Sequence, residues 1–213
     1  MSVATREVIL DAAERLFSAR GVDGVAVRDL ARELGLTPSS LYNHFRSKQA
    51  LYDAVLERGL RPIADLVAAA WHPGTLRPDL MRVTIDGLVT HLAAHPHLAR
   101  LLQRSMLEES GSVLALIERW VAPLYGTGMA VIRETAFEAG WDAEELPHLA
   151  LGLFGVIFAY FTNSAFIQPL TRSNQDPLSP HALVVQRRFL EKAIYRLLGP
   201  IHQQVRPNGE SGA

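Results

Sequence analysis

The sequence predicts an all-α chain: a three-helix N-terminal module followed by a larger C-terminal helical domain. Three observations predict this class. Apolar residues recur at the 3.6-residue helical period, no stretch reads as a strand, and Gly or Pro falls where each helical run stops. At 213 residues and 48% hydrophobic, the chain is long and apolar enough to build a real core, which excludes a disordered protein.

The first helix is expected from about Arg6 to Arg20, with Ile9, Ala12, Ala13, Leu16 and Phe17 on one face and Gly21 as its cap. A short helix follows from about Val27 to Leu34, closed by Gly35. Thr37 then serves as N-cap, with Pro38 at the first position of a third helix that ends at Phe45. Ser47 caps a long fourth helix from Lys48, which is expected to kink or break at Pro62 and to end at His72-Pro73-Gly74. Further helices are expected from Pro78 to about Ala94 and from Pro96 to about Glu109. Ser112 is expected to cap a segment to Ala139 that Pro123, Gly126 and Gly128 interrupt. Asp142 and Glu145 form a capping box for an apolar helix to about Phe166, and Ser179-Pro180 opens a last helix ended by Gly199-Pro200. The expected division is 1–48, 49–202 and a disordered tail at 203–213.

No cysteine is present, which removes disulfides, thiolate metal sites and cysteine nucleophiles. Met1 to Leu10 has no apolar signal-peptide core, so a cytoplasmic location is expected. A net charge of -1 does not by itself point to nucleic acid. The local pattern does: Leu34 to Tyr52 contains no acidic residue and carries His44, Arg46 and Lys48, and phosphate attraction follows the local field.

The two short helices joined by Gly35-Leu36-Thr37 form a helix-turn-helix pattern held by Leu30, Ala31, Leu41 and Phe45. The outward faces carry Arg28, Ser39, Ser40, Tyr42, Asn43 and His44, hydrogen-bonding side chains of a length that reaches base edges and phosphates.

The run Arg28-Asp-Leu-Ala-Arg-Glu-Leu-Gly-Leu-Thr-Pro-Ser-Ser-Leu-Tyr-Asn-His-Phe-Arg-Ser-Lys48, with Leu51 after it, resembles the DNA-binding signature of the TetR family of bacterial transcriptional regulators, of the TetR/AcrR type. The resemblance covers roughly Arg6 to Leu56. It implies that Thr37, Tyr42, His44 and Lys48 contact phosphates, that Ser39, Ser40 and Asn43 face bases in the major groove, and that Arg28 assists. It also implies a double-stranded operator, a homodimer through the helices around 143–166 and 180–198, and repression relieved by a small molecule. One departure stands out. Where the family places Ser or Thr before the second helix, this chain has Val25 and Ala26, and lacks that hydroxyl.

In the regulatory half, Leu149 to Ile167 approaches the roughly 20 apolar residues of a membrane span. Gly152, Gly155, Thr162, Asn163 and Ser164, with no flanking basic cluster, argue against a membrane partner. A helix packed on a partner subunit and on a ligand cavity explains the run better. Leu183, Val184, Leu190, Ile194 and Leu197 of the last helix are the expected complement at the dimer interface. An apolar or aromatic effector is expected among Trp120, Tyr125, Phe154, Phe158 and Phe161, with His91, Arg104, Glu108 and Asn163 as polar contributors. Aromatic core packing is the plainer account of each ring. His91 and His95 lie one helical turn apart, yet a zinc site needs further ligands, so no metal and no cofactor are expected. No nucleophile elbow, phosphate loop or His-Glu-x-x-His motif suggests an enzyme. Alternatives that remain are an activator or ligand-independent regulator of the same fold, and a helical small-molecule binder without DNA binding.

Overall fold

The computed structural model describes residues 6–70, 78–108, 111–123, 125–126, 133, 136–137, 139–172 and 174–198, and among these there are helices and turns but no strand. The short helices α1 (Arg6–Arg20), α2 (Val27–Glu33) and α3 (Pro38–His44) precede a long α4 (Lys48–Ala70). Then come α5 (Pro78–Ala94), α6 (Leu98–Leu107) and α7 (Gly111–Leu116), which runs on into a π turn at Ile117–Val121. The helices α8 (Leu146–Thr162), α9 (Ser164–Thr171) and α10 (Pro180–Leu198) follow.

Local signals explain most boundaries. Gly21 and Gly35 end α1 and α2 at φ 73° and 65°, a left-handed conformation that glycine adopts without a Cβ penalty. Ser47 Oγ accepts the Ala50 N–H at 3.0 Å, closing the first turn of α4. The Asp142–Glu145 box forms, with Glu145 N–H donating to Asp142 Oδ1 at 3.0 Å and Asp142 N–H to Glu145 Oε2 at 2.9 Å. It shapes a turn, and α8 itself starts at Leu146. Ser179 Oγ accepts from Ala182 N–H at the start of α10.

Helix α4 is the axis of the molecule. Leu51, Tyr52, Val55 and Leu56 join Ile9, Ala13, Phe17, Leu30 and Leu41 in the same buried cluster that continues into Leu92, Leu98, Leu102 and Leu190. α4 packs on α1, α5 and α7, while α10 packs on α5 and α8. The core is therefore continuous across residues 48 and 49. The expected tail at 203–213, the 72–74 stop and the Gly199-Pro200 stop lie outside the described residues.

Several expectations are corrected. α4 runs through Pro62 without a break. Proline deletes one helix bond, to the Arg58 carbonyl, but flanking turns are held by buried Leu60 and Ala64. Ser112 is not a cap; it lies inside α7, where its hydroxyl donates to Asp53 at 2.6 Å. The apolar helix does not reach Phe166. It stops at Thr162, and α9 leaves at 74°. Asn163 sits at this bend and turns its amide back to the Ala159 carbonyl at 2.9 Å, closing the last turn of α8. No single helix among the described residues is long and apolar enough to cross a membrane. Leu190 and Ile194 face this chain's own core, since α10 must first bury a stripe on α5 and α8.

α4 lies close against α6 at Gly59, where a Cβ would lie 2.1 Å from Leu98 Cδ1. Leu98 is fully buried, so its side chain would have to shift within the packed core. Gly59→Ala is therefore expected to lower stability by about 1–3 kcal/mol, read as a reduced urea midpoint with unchanged m-value.

Candidate nucleic-acid interface

Sequence places a turn at Gly35-Leu36-Thr37, and the structure shows how it is built. The Gly35 N–H donates to Arg32 O at 3.2 Å and the Leu36 N–H to Ala31 O at 2.8 Å, ending α2. Thr37 Oγ1 accepts from Ser40 N–H at 3.1 Å and pairs with Ser40 Oγ at 2.9 Å, starting α3. Leu30, Ala31, Leu41 and Phe45 are all buried between the helices, which sets their crossing. Arg6 places its guanidinium 5.0 Å from the centre of the Phe45 ring.

With the apolar face turned in, Arg28, Ser39, Tyr42, Asn43, His44 and Arg46 are left exposed, and Ser40 half-buried. Tyr42 is 47% exposed although its ring is large and apolar. The acids of α2 are neutralised locally. Asp29 pairs with Arg32 at 2.6 Å, and Glu33 with Arg15. The surface around α3 is thus polar, free of unpaired carboxylates and able to accept phosphate. Ala26 is the N-cap of α2 and makes no side-chain cap bond, in keeping with the missing hydroxyl. Lys48 differs from its neighbours: its Nζ turns inward to Val22 O at 2.8 Å and Val25 O at 3.3 Å.

A second polar constellation, not singled out in the sequence, ties the module to the rest. Glu7, Asp11 and Glu14 share one face of α1, and Arg58 of α4 meets them at 3.3, 2.7 and 2.8 Å. The signal was present as an acidic i, i+4, i+7 stripe on α1, but its cation lies far away in sequence. Glu14 is buried and also lies 3.3 Å from His95 Nδ1, in the α5–α6 turn. Burial alone would raise the Glu14 pKa; hydrogen bonds and charges from His95 and Arg58 outweigh it and hold the carboxyl below its ordinary value. His91 Nε2 donates to the Gly59 carbonyl at 3.0 Å, and the His91 and His95 rings lie 4.8 Å apart. Tyr52 and Ser105 hydrogen-bond across the same junction, between α4 and α6. The Arg104 guanidinium covers Gly21, where a Cβ would come within 2.8 Å of Nη2.

The residues expected around an effector have separate partners. Arg104 pairs with Glu108 at 2.7 Å, and His91 holds α4. Trp120 lies in the π turn between the guanidinium groups of Arg61 and Arg119, 5.5 and 5.0 Å from its ring. Tyr125 is exposed, Phe154 stacks on Phe158 at 4.2 Å, Phe161 meets Tyr160 edge-on, and Asn163 caps α8. A groove between α5 and α10, lined by Arg82, Val83, Asp86, Arg187 and Glu191, contains none of them. Among the described residues no group of three or more His, Asp or Glu is arranged to hold a metal ion.

An apolar surface remains on the other side. His148, Leu151, Gly152, Gly155 and Ala159 form an exposed stripe on α8, and a Cβ at Gly152 or Gly155 would meet nothing within 4 Å. On α10, Val184, Val185, Phe189 and Tyr195 are each about half exposed.

Residues 9–55 match the family model described as bacterial regulatory proteins, tetR family. The tetracycline repressor protein class D of Escherichia coli is 42% identical over 55 residues, 26% of this chain and 25% of that protein. The transcriptional regulator AcrR of Shigella flexneri is 37% identical over 62 residues, 29% of each chain. These matched stretches span only about a quarter of the curated relatives. The crystal structure of Mycobacterium smegmatis AmtR resembles the whole fold, with TM-score 0.64 at 25% identity over 93% of this chain and 88% of that one.

The histidine and carboxylate junction makes stability pH-dependent. Burial, first, holds His91 and His97 below the ordinary imidazole pKa, so the folded state favours them neutral. The unfolded chain then binds more protons as pH falls, and their stabilisation is full above about pH 6.5 and lost on acidification. The depressed Glu14 adds a further loss below the ordinary carboxylate range. The melting temperature is expected to fall between pH 7.5 and 5.5, and His91→Gln, a donor that does not titrate, to shrink that fall. An equal fall in the variant would contradict it.

Proposed function

We propose, from the premise that this chain belongs by its N-terminal module to the TetR family of bacterial regulatory proteins, that it is a homodimeric transcriptional repressor in the cytoplasm. It holds a palindromic operator and is released by an apolar or aromatic small molecule. The observation that carries this reading is the exposed polar face of α3 and its flanks on a module whose apolar face is fully buried. Tyr42, His44 and Thr37 hold phosphates; Ser39, Ser40 and Asn43 read bases, with Arg28 beside them. Residues 1–48 form the DNA-binding part and 49–202 the regulatory part.

Dimerisation is supported by the apolar stripe of α8 with the exposed Val184, Val185 and Phe189 of α10. A pair of recognition helices must meet successive major grooves, about 34 Å apart, which one copy cannot do. Release is a population shift: a ligand that binds better to a differently spaced dimer draws the population off DNA. The contacts that carry it are Glu14–His95 and Tyr52–Ser105, which couple α5 and α6 to the module through α1 and α4. The effector lies among the regulatory-half aromatics, with Phe154 and Phe158 as the stacked pair. No enzymatic step is part of this function.

Selection of duplexes from a random library by the wild-type protein is expected to return a palindrome. Tyr42→Ala should weaken binding by about 1–3 kcal/mol across palindrome variants, whereas Asn43→Ala should change the preferred bases. Binding indifferent to both substitutions would reject the interface. Phe189→Glu is expected to sediment as a monomer and to lose operator binding; a dimer that binds normally would reject the proposed dimer face.

A further inference from the structure

We infer that Lys48 is a positioning residue for the recognition module and not one of its phosphate contacts; this rests on the DNA-binding function proposed above. Its ammonium donates to the Val22 carbonyl at 2.8 Å and the Val25 carbonyl at 3.3 Å, 26 and 23 residues earlier in the chain. The Val22 carbonyl also accepts the Val25 N–H at 3.3 Å, so the loop between α1 and α2 closes around the ammonium. The side chain is half-buried, while Arg28, Tyr42, Asn43, His44 and Arg46 are exposed.

The loop needs this tie. It must turn sharply after Gly21 at φ 73° and deliver α2 at an N-cap, Ala26, that has no side-chain oxygen to hold the helix start. Lys48 replaces that local cap with a long-range clamp from the first residue of α4. The position suits no free cation, because a lysine at a helix start lies against the positive end of the helix dipole. Two carbonyl oxygens offset that repulsion and orient the ammonium inward. The choice of residue fits as well. Basic charge in this chain is almost wholly arginine, with lysine only at 48 and 192. A compact ammonium on a flexible stem enters a pair of carbonyls that a planar guanidinium, built for bidentate phosphate, does not. The clamp fixes α2, and with it Arg28 and the shelf on which α3 lies.

Salt dependence separates the two roles. Each phosphate contact removed lowers the slope of log affinity against log salt by about 0.9. Lys48→Met, Lys48→Arg and, for comparison, Arg46→Met are measured on the duplex selected by the wild-type protein, with thermal melts of each. Lys48→Met is expected to melt a few degrees lower and to bind about tenfold more weakly with the wild-type slope. Lys48→Arg should also bind more weakly, although it keeps the charge. The inference is overturned if Lys48→Met melts as wild type, if its slope drops by about 0.9 per protomer, or if Lys48→Arg binds as wild type. Should wild type select no duplex, the DNA-binding reading fails, while the melts of Lys48→Met still decide whether the clamp exists.

Discussion

Helix α4 carries one continuous core through both halves of the chain, and the rest of the structure depends on that. Its first turns supply Leu51, Tyr52 and Val55 to the small N-terminal module, whose own helices are too short to enclose a core; its later residues pack under α5 and α6. A seven-residue helix such as α2 or α3 has no stability of its own, because the cost of nucleating a turn is recovered only over many residues or by tertiary burial. Burial against each other and against α1, in the cluster that Leu51 and Tyr52 of α4 join, is what makes them helices.

Polar contacts then specify how α4 meets its neighbours. The apolar contact between α1 and α4, with Phe17 edge-on to Tyr52 at 5.5 Å, is non-directional enough to tolerate sliding. Arg58 against Glu7, Asp11 and Glu14 is directional. The buried Glu14 carboxylate has a large desolvation cost and is tolerable only while Arg58 and His95 both face it. One partner belongs to α4 and the other to the turn before α6. A shift of α6 thus changes the surroundings of a buried charge in the N-terminal module.

The C-terminal half contrasts with this. Its apolar residues are divided between an inward stripe, where Leu190 and Ile194 sit, and an outward surface with Leu151, Val184, Val185 and Phe189. Exposed apolar groups of this size are a feature of surfaces that meet another chain or a ligand. The small residues Gly152, Gly155 and Ala159 would let a partner helix approach closely.

Local sequence determined the all-helical class, the caps at Thr37 and Ser47, the glycine stops at 21 and 35, and the polar face of α3, because each follows from interactions within a few residues. The family-like run from Arg28 to Lys48 likewise placed the two short helices and the turn between them. Only the tertiary structure decided that Pro62 leaves α4 whole, since neighbouring burial outweighs one lost hydrogen bond. It alone turned α9 away at Asn163, gave Leu190 and Ile194 to the chain's own core, and set His91 and His95 to hold α4 and α1. Lys48 belongs with these. Its residue type and motif suit a phosphate, and only the position of the Val22 and Val25 carbonyls, distant in sequence, directs the ammonium inward.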